Sequence, residues 1–547
     1  MSKRVLLSLL SVLLLSLAWL GGGGLFLLPA FVPLLLLLEE FDKGRRPFWK
    51  AYGWVALTFG LWCAACTWWV WYAAAVGTIA ATIIQMTLFG AVMMLYHYFR
   101  LRTKRSFAYL VLVTGWIAAE HLYLRGQVSF PWLLLGNGFA NQPWAVQWYE
   151  WTGVFGGSLW VLLANIAIFE AVRAGKGCKP KAVMAAVVVV LPIIVSGVVA
   201  LCQPKYEELP KAKVTVVQPN FEPYEEKYTI PREQQDMIML SLASEAPKDV
   251  DFIVLPETVL GDISSSEWIW EEQPLSSEVM RRYNEFMASH YPEAEMVVGA
   301  MTSRRYMSDS RPTRTARQLG IYWLDRYNTA FRLNGTDTLA RHHKSKLVIG
   351  VEMMPDWKIL NILENTIVSL GGTTGGLGTD NFVTVFRDPR GKNAPSSAQI
   401  CYESIYGEHF SKPVAEGAEV MFVITNDGWW HDTPGHRQHF SYSRLRAIEN
   451  RRSIARSANT GISGFITPTG KVLDERLGWD ERGTITAEVP LNSRVTFYSR
   501  MGDYIARISN LLFPLAILYY VAIYFRRKAE EPTPKPKSNP TNTKKKK

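Results

Sequence analysis

At 547 residues, with 48% hydrophobic and 20% charged, the chain has room for more than one domain and is too apolar to be a disordered polypeptide. Its formal charge of +11 comes from 59 Lys and Arg against 48 Asp and Glu. The cations cluster in short loops between apolar runs, a placement that excludes a nucleic-acid groove and points to membrane topology.

A hydrocarbon core about 30 Å thick takes roughly 20 apolar helical residues. In chain order the candidate spans are 5–20, 24–38, 52–75, 77–98, 107–124, 153–172, 182–202 and 508–525. A single helix over 5–38 would be roughly 50 Å long, so Gly21-Gly22-Gly23-Gly24 is read as the turn of a tight helical hairpin. Basic clusters fall in alternate loops: Lys43, Arg45, Arg46 and Lys50, then Arg100, Arg102, Lys104 and Arg105, then Arg173, Lys176, Lys179 and Lys181. Lys3-Arg4 and Arg526-Arg527-Lys528 flank the first and last spans. The positive-inside rule then puts both termini in the cytoplasm, with loop 125–152 and the long segment between spans seven and eight outside. Lys3-Arg4 before an apolar run also resembles a signal peptide, but no small-x-small site follows, so an uncleaved anchor is expected. Cys63 and Cys66 lie within a span, where packed small residues are a better reading than a redox or zinc pair. The expected domains are a seven-helix membrane part (1–204), an outer domain (205–495), a connector with the eighth helix (496–527) and a disordered basic tail (528–547).

In the outer segment, strands are expected at Lys213–Val217, Phe252–Leu255, Met296–Gly299, Ile321–Leu324, Ala330–Leu333, Phe382–Phe386, Ala398–Cys401, Val420–Thr425, Gly461–Thr467 and Thr484–Val489. Helices are expected at Asp236–Ala246, Ser277–Ser289 and Thr433–Arg452. The interleaving indicates an α/β domain with helices covering sheets.

Three residues near strand ends carry chemistry. Cys401 ends the run from Ser396, Glu257 ends Phe252–Pro256, and Lys344 follows Arg341-His342-His343. A thiolate that attacks, a carboxylate that moves the proton and an ammonium that holds oxyanion charge make a thiol-based acyl-transfer site. Taken singly, each has a plainer reading: a buried small hydrophobe, a strand-end cap and a solvated surface charge. His342, His343, His431, His436 and His439 do not assemble a convincing ligand set, so no metal and no cofactor are expected.

The order Leu255-Pro256-Glu257, His343-Lys344-Ser345-Lys346-Leu347-Val348 and Ile400-Cys401-Tyr402-Glu403 resembles the nitrilase superfamily and its Glu-Lys-Cys triad. With seven spans before that domain and one after, it resembles the membrane-embedded branch, the apolipoprotein N-acyltransferases. Val217-Gln218-Pro219-Asn220, Tyr327-Asn328-Thr329, Thr425-Asn426-Asp427-Gly428-Trp429 and Asn459-Thr460-Gly461 extend the likeness, as does the outer loop Ser129–Gly136.

The resemblance implies a four-layer αββα sandwich inserted between transmembrane helices seven and eight. It implies Cys401 as nucleophile, Glu257 as general base and Lys344 as electrostatic stabiliser, with Glu352, Tyr402 and Glu403 in support. It also implies a phospholipid acyl donor, diacylglyceryl apolipoproteins as acceptors, a thioester intermediate and a bacterial inner-membrane location with the catalytic domain in the periplasm. A monomer is expected. Two positions depart from the family. Leu347-Val348-Ile349-Gly350-Val351-Glu352 stands where Leu-Val-Pro-Phe-Gly-Glu is usual, and Tyr228 where a lipid-contacting Trp is common. Trp268, Trp270, Met353, Met354, Trp357 and Trp429 are further lipid-contact candidates, with loops Gly261–Gln273 and Ile349–Trp357 expected to gate Cys401. The rival readings are a membrane-tethered amidase acting on a small amide, and a non-enzymatic scaffold or transporter. Within the spans the charged residues are Glu120 and Glu170, too few to mark a transport path.

Overall fold

The computed structural model describes residues 3–42, 45–175, 177–222, 224, 226–261, 268–353, 376–380 and 382–530. All eight expected spans fall on helical segments. Among the described residues, five helices are long and apolar enough to cross a membrane: Ala75–Arg102, Arg105–Arg125, Tyr149–Ala174, Lys179–Leu201 and Tyr504–Ala529. The first hairpin is built from shorter pieces, Lys3–Leu17, Gly24–Leu27 and Val32–Glu39. Its turn depends on glycine. Gly21 and Gly23 have φ of 99° and 88°, and a Cβ on Gly23 would lie 2.4 Å from the Gln142 side chain. After helix Arg45–Thr67, a single turn at Val70–Ala73 is separated from Ala75–Ile84 by Ala74, whose φ of −156° and ψ of 84° break the helix.

The segment between the last two long apolar helices has two sheets. In chain order the strands are β1 Lys211–Gln218, β2 Phe252–Val254, β3 Ile269–Trp270, β4 Glu295–Tyr306, β5 Arg317–Leu319, β6 Tyr322–Leu333 and β7 Ala340–His343. Then come β8 Ser396–Ile400, β9 Val420–Thr425, β10 Ser453–Ala458, β11 Ser463–Ile466, β12 Val472–Leu477 and β13 Gly483–Pro490. One sheet runs β13-β1-β2-β4-β6-β5, with β3 on β4 and β7 on β6; the other runs β12-β11-β10-β9-β8.

Alternation along each strand sets the packing. Phe252 and Val254 face the second sheet, where they meet Ile400, Phe422 and Ile424, and the Phe252 and Phe422 rings lie 5.2 Å apart. Ile253 and Leu255 point the other way, against Met239 and Met280 of helices Arg232–Ser244 and Glu278–His290. On the second sheet, Met421 and Val423 pack under Phe410, Val414 and Phe440 of helices Gly407–Ala415 and Pro434–Asn450. Strands covered on both faces read as continuous apolar runs, as these do.

Polar residues hid several elements. The expected strands at Ile321–Leu324 and Ala330–Leu333 are the two ends of β6, which pairs with β4 through the polar stretch Asp325 to Thr329. Phe382–Phe386 is not a strand; it contributes one bridge, Phe386 to Ser396. Helix Gly407–Ala415 continues through Pro413.

Helix Pro434–Asn450 pins the sheets to the membrane part. Gln438 donates to the Trp19 and Cys66 carbonyls at 3.1 and 3.3 Å and accepts from the Trp132 indole at 2.6 Å. A Cβ at Gly435 would lie 2.6 Å from Trp69, so glycine permits this close approach. At the helix end, Arg451 pairs with Glu150 and bonds Gln147.

Candidate active site

Cys401 directly follows β8 and holds a φ of 51°, a region that side-chain-bearing residues rarely occupy. Ser404 Oγ donates to its carbonyl at 2.7 Å, and His439 Nε2 lies 3.2 Å from the same oxygen. The next two residues hold this turn in place. The Tyr402 hydroxyl donates to the Ser129 carbonyl at 3.0 Å, in the loop that follows helix Arg105–Arg125. Buried Glu403 accepts from the backbone N–H groups of Ile400 and Ser345, both at 2.8 Å, and pairs with His342 at 2.8 Å. One carboxylate thus joins the Cys401 turn to the lysine segment. Burial alone would raise its pKa, but His342 and His409 hold it well below the ordinary carboxylate range.

Lys344 follows β7, its N–H donating to the Asn328 carbonyl at 2.8 Å. Its ammonium lies between two carboxylates, 3.0 Å from Glu257 and 2.7 Å from Glu352. The Asn328 amide donates to Glu257 at 2.7 Å and reaches Glu352 at 3.4 Å. The second oxygen of Glu257 accepts from the Asn426 N–H at 3.1 Å, and that of Glu352 from the Val348 N–H at 2.8 Å. Burial works against the lysine's charge, yet Glu257, Glu352 and Cys401 outweigh it and keep its pKa well above the ordinary value. Burial and the Glu257 charge push the Cys401 thiol up, with Lys344 opposing. At rest the site therefore holds a neutral thiol beside an ammonium held by two carboxylates.

These groups open onto a cavity of about 330 Å³. Glu257, Lys344, Glu352, Cys401, Tyr402 and Asn426 form its polar end. The remainder is apolar and drawn largely from the membrane part: Trp69–Ala75, Gly77, Ala80, Ala81, Tyr123, Phe130 and Trp132. Trp69 packs edge-on to Trp430 at 4.8 Å and tilts against Trp132 at 4.7 Å. Tyr224, whose hydroxyl donates to the Trp429 carbonyl at 2.9 Å, completes the wall with Trp429.

Of the seven sequence-derived lipid-contact residues, Trp429 lines this cavity. Trp268 and Trp270 do not. They stack at 5.6 Å, with Arg326 over the Trp268 ring and Arg305 over Trp270, because β3 aligns them on β4. Met353 is likewise off the cavity wall, its segment contributing Ile349 and Val351 instead. The Tyr228 side chain, Met354 and Trp357 lie outside the described residues, as do 262–267 of the expected gate. Sequence reasoning missed Tyr224, Asn328 and the Trp69–Ala81 wall. Asn328 sat in a recognised motif without a role, and the helix wall carries only the small apolar residues any span carries.

The histidines disperse. His431 packs on Tyr224 and Tyr72, His436 on Trp479, and His439 on Asp427. His342, Glu403 and His409 do bring ligand atoms within 4.8 Å of one another, but backbone N–H groups already engage both Glu403 oxygens.

The Carbon-nitrogen hydrolase family matches residues 199–497, and the Apolipoprotein N-acyltransferase N-terminal domain matches residues 11–167. An apolipoprotein N-acyltransferase from Chlorobaculum tepidum is 30% identical over 523 residues, covering 93% of this chain and 95% of its own. The chain belongs to the apolipoprotein N-acyltransferase family. One from Rickettsia typhi is 26% identical over 422 residues, 76% of this chain and 77% of its own. A mutant amidase of the nitrilase superfamily from Nesterenkonia AN1 overlays 52% of this chain and 93% of its own, at 15% identity and a TM-score of 0.35. With family membership and its apolar helices, the chain is a bacterial membrane acyltransferase with a nitrilase-like catalytic domain.

Proposed function

We propose that the protein transfers an acyl chain from a membrane phospholipid to the N-terminal α-amino group of diacylglyceryl apolipoproteins, through a thioester on Cys401. The observation that carries this reading is one continuous cavity with Glu257, Lys344 and Cys401 at its polar end and the junction of two membrane helices along its apolar wall. A soluble amide would have no use for that wall, whereas acyl chains stay in an apolar environment at about 0.8 kcal/mol per CH₂. This disfavours the amidase alternative.

In this reading Glu257 takes the Cys401 proton as the sulfur attacks the ester carbonyl. The site carries two carboxylates against one ammonium, so a free thiolate is disfavoured at rest and the proton leaves as the bond forms. Lys344 faces the oxyanion of the tetrahedral intermediate. Glu257 then returns the proton to the lysophospholipid oxygen, and on the second half-reaction accepts one from the attacking amine and passes it to the departing Cys401 sulfur. Glu352 holds Lys344 from the far side, and Tyr402 and Glu403 fix the nucleophile turn. We further infer an αββα layering of the outer domain, eight membrane crossings, a periplasmic catalytic domain and cytoplasmic termini; the alternation of basic loops supports the last two.

The test is mass spectrometry of the purified full chain after incubation with phospholipid. An acyl mass on the Cys401 peptide, released on adding a diacylglyceryl lipopeptide, is expected; acylation elsewhere would refute the assignment.

A further inference from the structure

A second buried network, separate from the Glu257–Lys344–Glu352 cluster, closes around Cys401 from the other side. β8 and β9 run parallel with Ile400 opposite Ile424, so the next residues, Cys401 and Thr425, lie side by side. In this register the Thr425 side chain neighbours Cys401, and its hydroxyl donates to Asp427 Oδ1 at 2.8 Å. Asp427 has partners to spare: His439 Nδ1 lies 2.9 Å from the same oxygen, and Arg456 donates to the other at 2.7 Å. The far nitrogen of His439 returns to the Cys401 carbonyl at 3.2 Å. Thr425, Asp427, His439 and Arg456 are all fully buried. Neither the packing of the sheet nor the proton route through Glu257 requires this ring.

We propose that Thr425 is a further catalytic residue, whose hydroxyl turns from Asp427 to the Cys401 sulfur as the thiol ionises. The proposal rests on Cys401 being the nucleophile. The S–H bond breaks and its proton goes to Glu257. Thr425 keeps its own proton and exchanges one acceptor, the Asp427 oxygen, for another, the thiolate. Asp427 stays bonded to His439 and Arg456, so the exchange leaves no buried carboxylate bare. In the thioester the sulfur is a poor acceptor and the hydroxyl swings back. When the amine expels the sulfur with its electron pair, the same donor meets the leaving thiolate. Ser404, by donating to the Cys401 carbonyl where φ is positive, keeps the sulfur within the rotor's reach.

The experiment follows the alkylation rate of Cys401 by iodoacetamide at pH 8 in the detergent-solubilised full chain, with the labelled peptide mapped by mass spectrometry. Thr425→Val, which removes the donor and keeps the shape, should slow alkylation about tenfold, the effect of a one-unit rise in thiol pKa. Thr425→Ser should keep the parent rate. Asp427→Asn should speed alkylation, because it weakens the competing acceptor and removes a negative charge near the sulfur. Opposite signs in the Val and Asn variants are the result expected of a rotor. A Val variant at the parent rate, Val and Ser variants slowed alike, or Val and Asn variants slowed alike would each overturn the proposal. If the label maps to a residue other than Cys401 in the parent, the nucleophile assignment falls, and this proposal with it.

Discussion

His343, next to Lys344, offers a stability switch whose size follows from the structure. Its ring stacks on Tyr327 at 4.4 Å, with Nε2 3.1 Å from Glu271 and Nδ1 2.9 Å from Asp380. Arg341 also pairs with Glu271 at 2.9 Å, so the cluster holds two carboxylates, one guanidinium and the imidazole. Burial disfavours the imidazolium, but Asp380 and Glu271 more than offset it and push the pKa up to about 9 from 6.5. The folded ring holds its proton more tightly than the unfolded one. The stabilisation is therefore complete below about pH 6.5 and is lost as pH rises through about 9. A shift of about 2.5 units at 1.36 kcal/mol each is about 3 kcal/mol. His343→Gln should lower the thermal midpoint of the detergent-solubilised protein at pH 6, read by tryptophan fluorescence. At pH 10 the variant and parent should converge, since the parent has then lost its imidazolium. Parallel midpoints across pH 6–10 would refute the argument, because a packing defect would not titrate.

Cys401→Ser should abolish acyl-enzyme formation while the protein stays folded and in the membrane, as judged by mass spectrometry and gel filtration; turnover near the parent rate would remove the thiol from the mechanism. Glu257→Gln and Lys344→Ala should each lower kcat by roughly 10²–10⁴-fold with little change in KM, as groups acting mainly in the transition state do. A change confined to KM would make either one a binding group. A membrane-impermeant amine label on intact spheroplasts should modify the outer domain and spare Lys544–Lys547; the reverse pattern would invert the proposed topology.

That Glu257, Lys344 and Cys401 share one cavity was legible because Pro256-Glu257, His343-Lys344 and Cys401-Tyr402 each stand near a strand end. The spans were legible because a bilayer demands a length of apolar helix. What stayed hidden depends on partners distant in sequence. Glu352 pairs with Lys344 across the Ile349-Gly350-Val351 stretch, its second oxygen held by the Val348 N–H. The same aromatic character that marked Trp268 and Trp270 for lipid also suits them to cation stacking, and only the alignment of β3 on β4 decides between the two. β12 escaped notice because Asp474-Glu475-Arg476 is exposed on an outer strand with no apolar pattern.

The cavity wall includes the start of helix Ala75–Ile84, and one residue there offers a measurement of acyl-chain accommodation. Ala74, Gly77, Ala80 and Ala81 all line the cavity, spaced so that one helix face presents only small side chains. A Cβ at Gly77 would lie 3.2 Å from the Ala74 Cβ and 3.9 Å from the Ile349 carbonyl, so a larger side chain grows across the gap between the membrane helix and the lysine loop. Gly77→Leu adds four carbons there. If these displace an equal number of acyl methylenes, the lost burial is about 3 kcal/mol, or about 100-fold in the rate of Cys401 acylation by a long-chain phospholipid. Donors too short to reach Gly77 should lose much less, and alkylation of Cys401 by iodoacetamide should be unchanged, because the reagent needs no apolar wall. The comparison of long and short donors carries the test. Equal slowing of both would mean that the substitution disturbs the catalytic end, and an undiminished long-chain rate would place the acyl chain elsewhere.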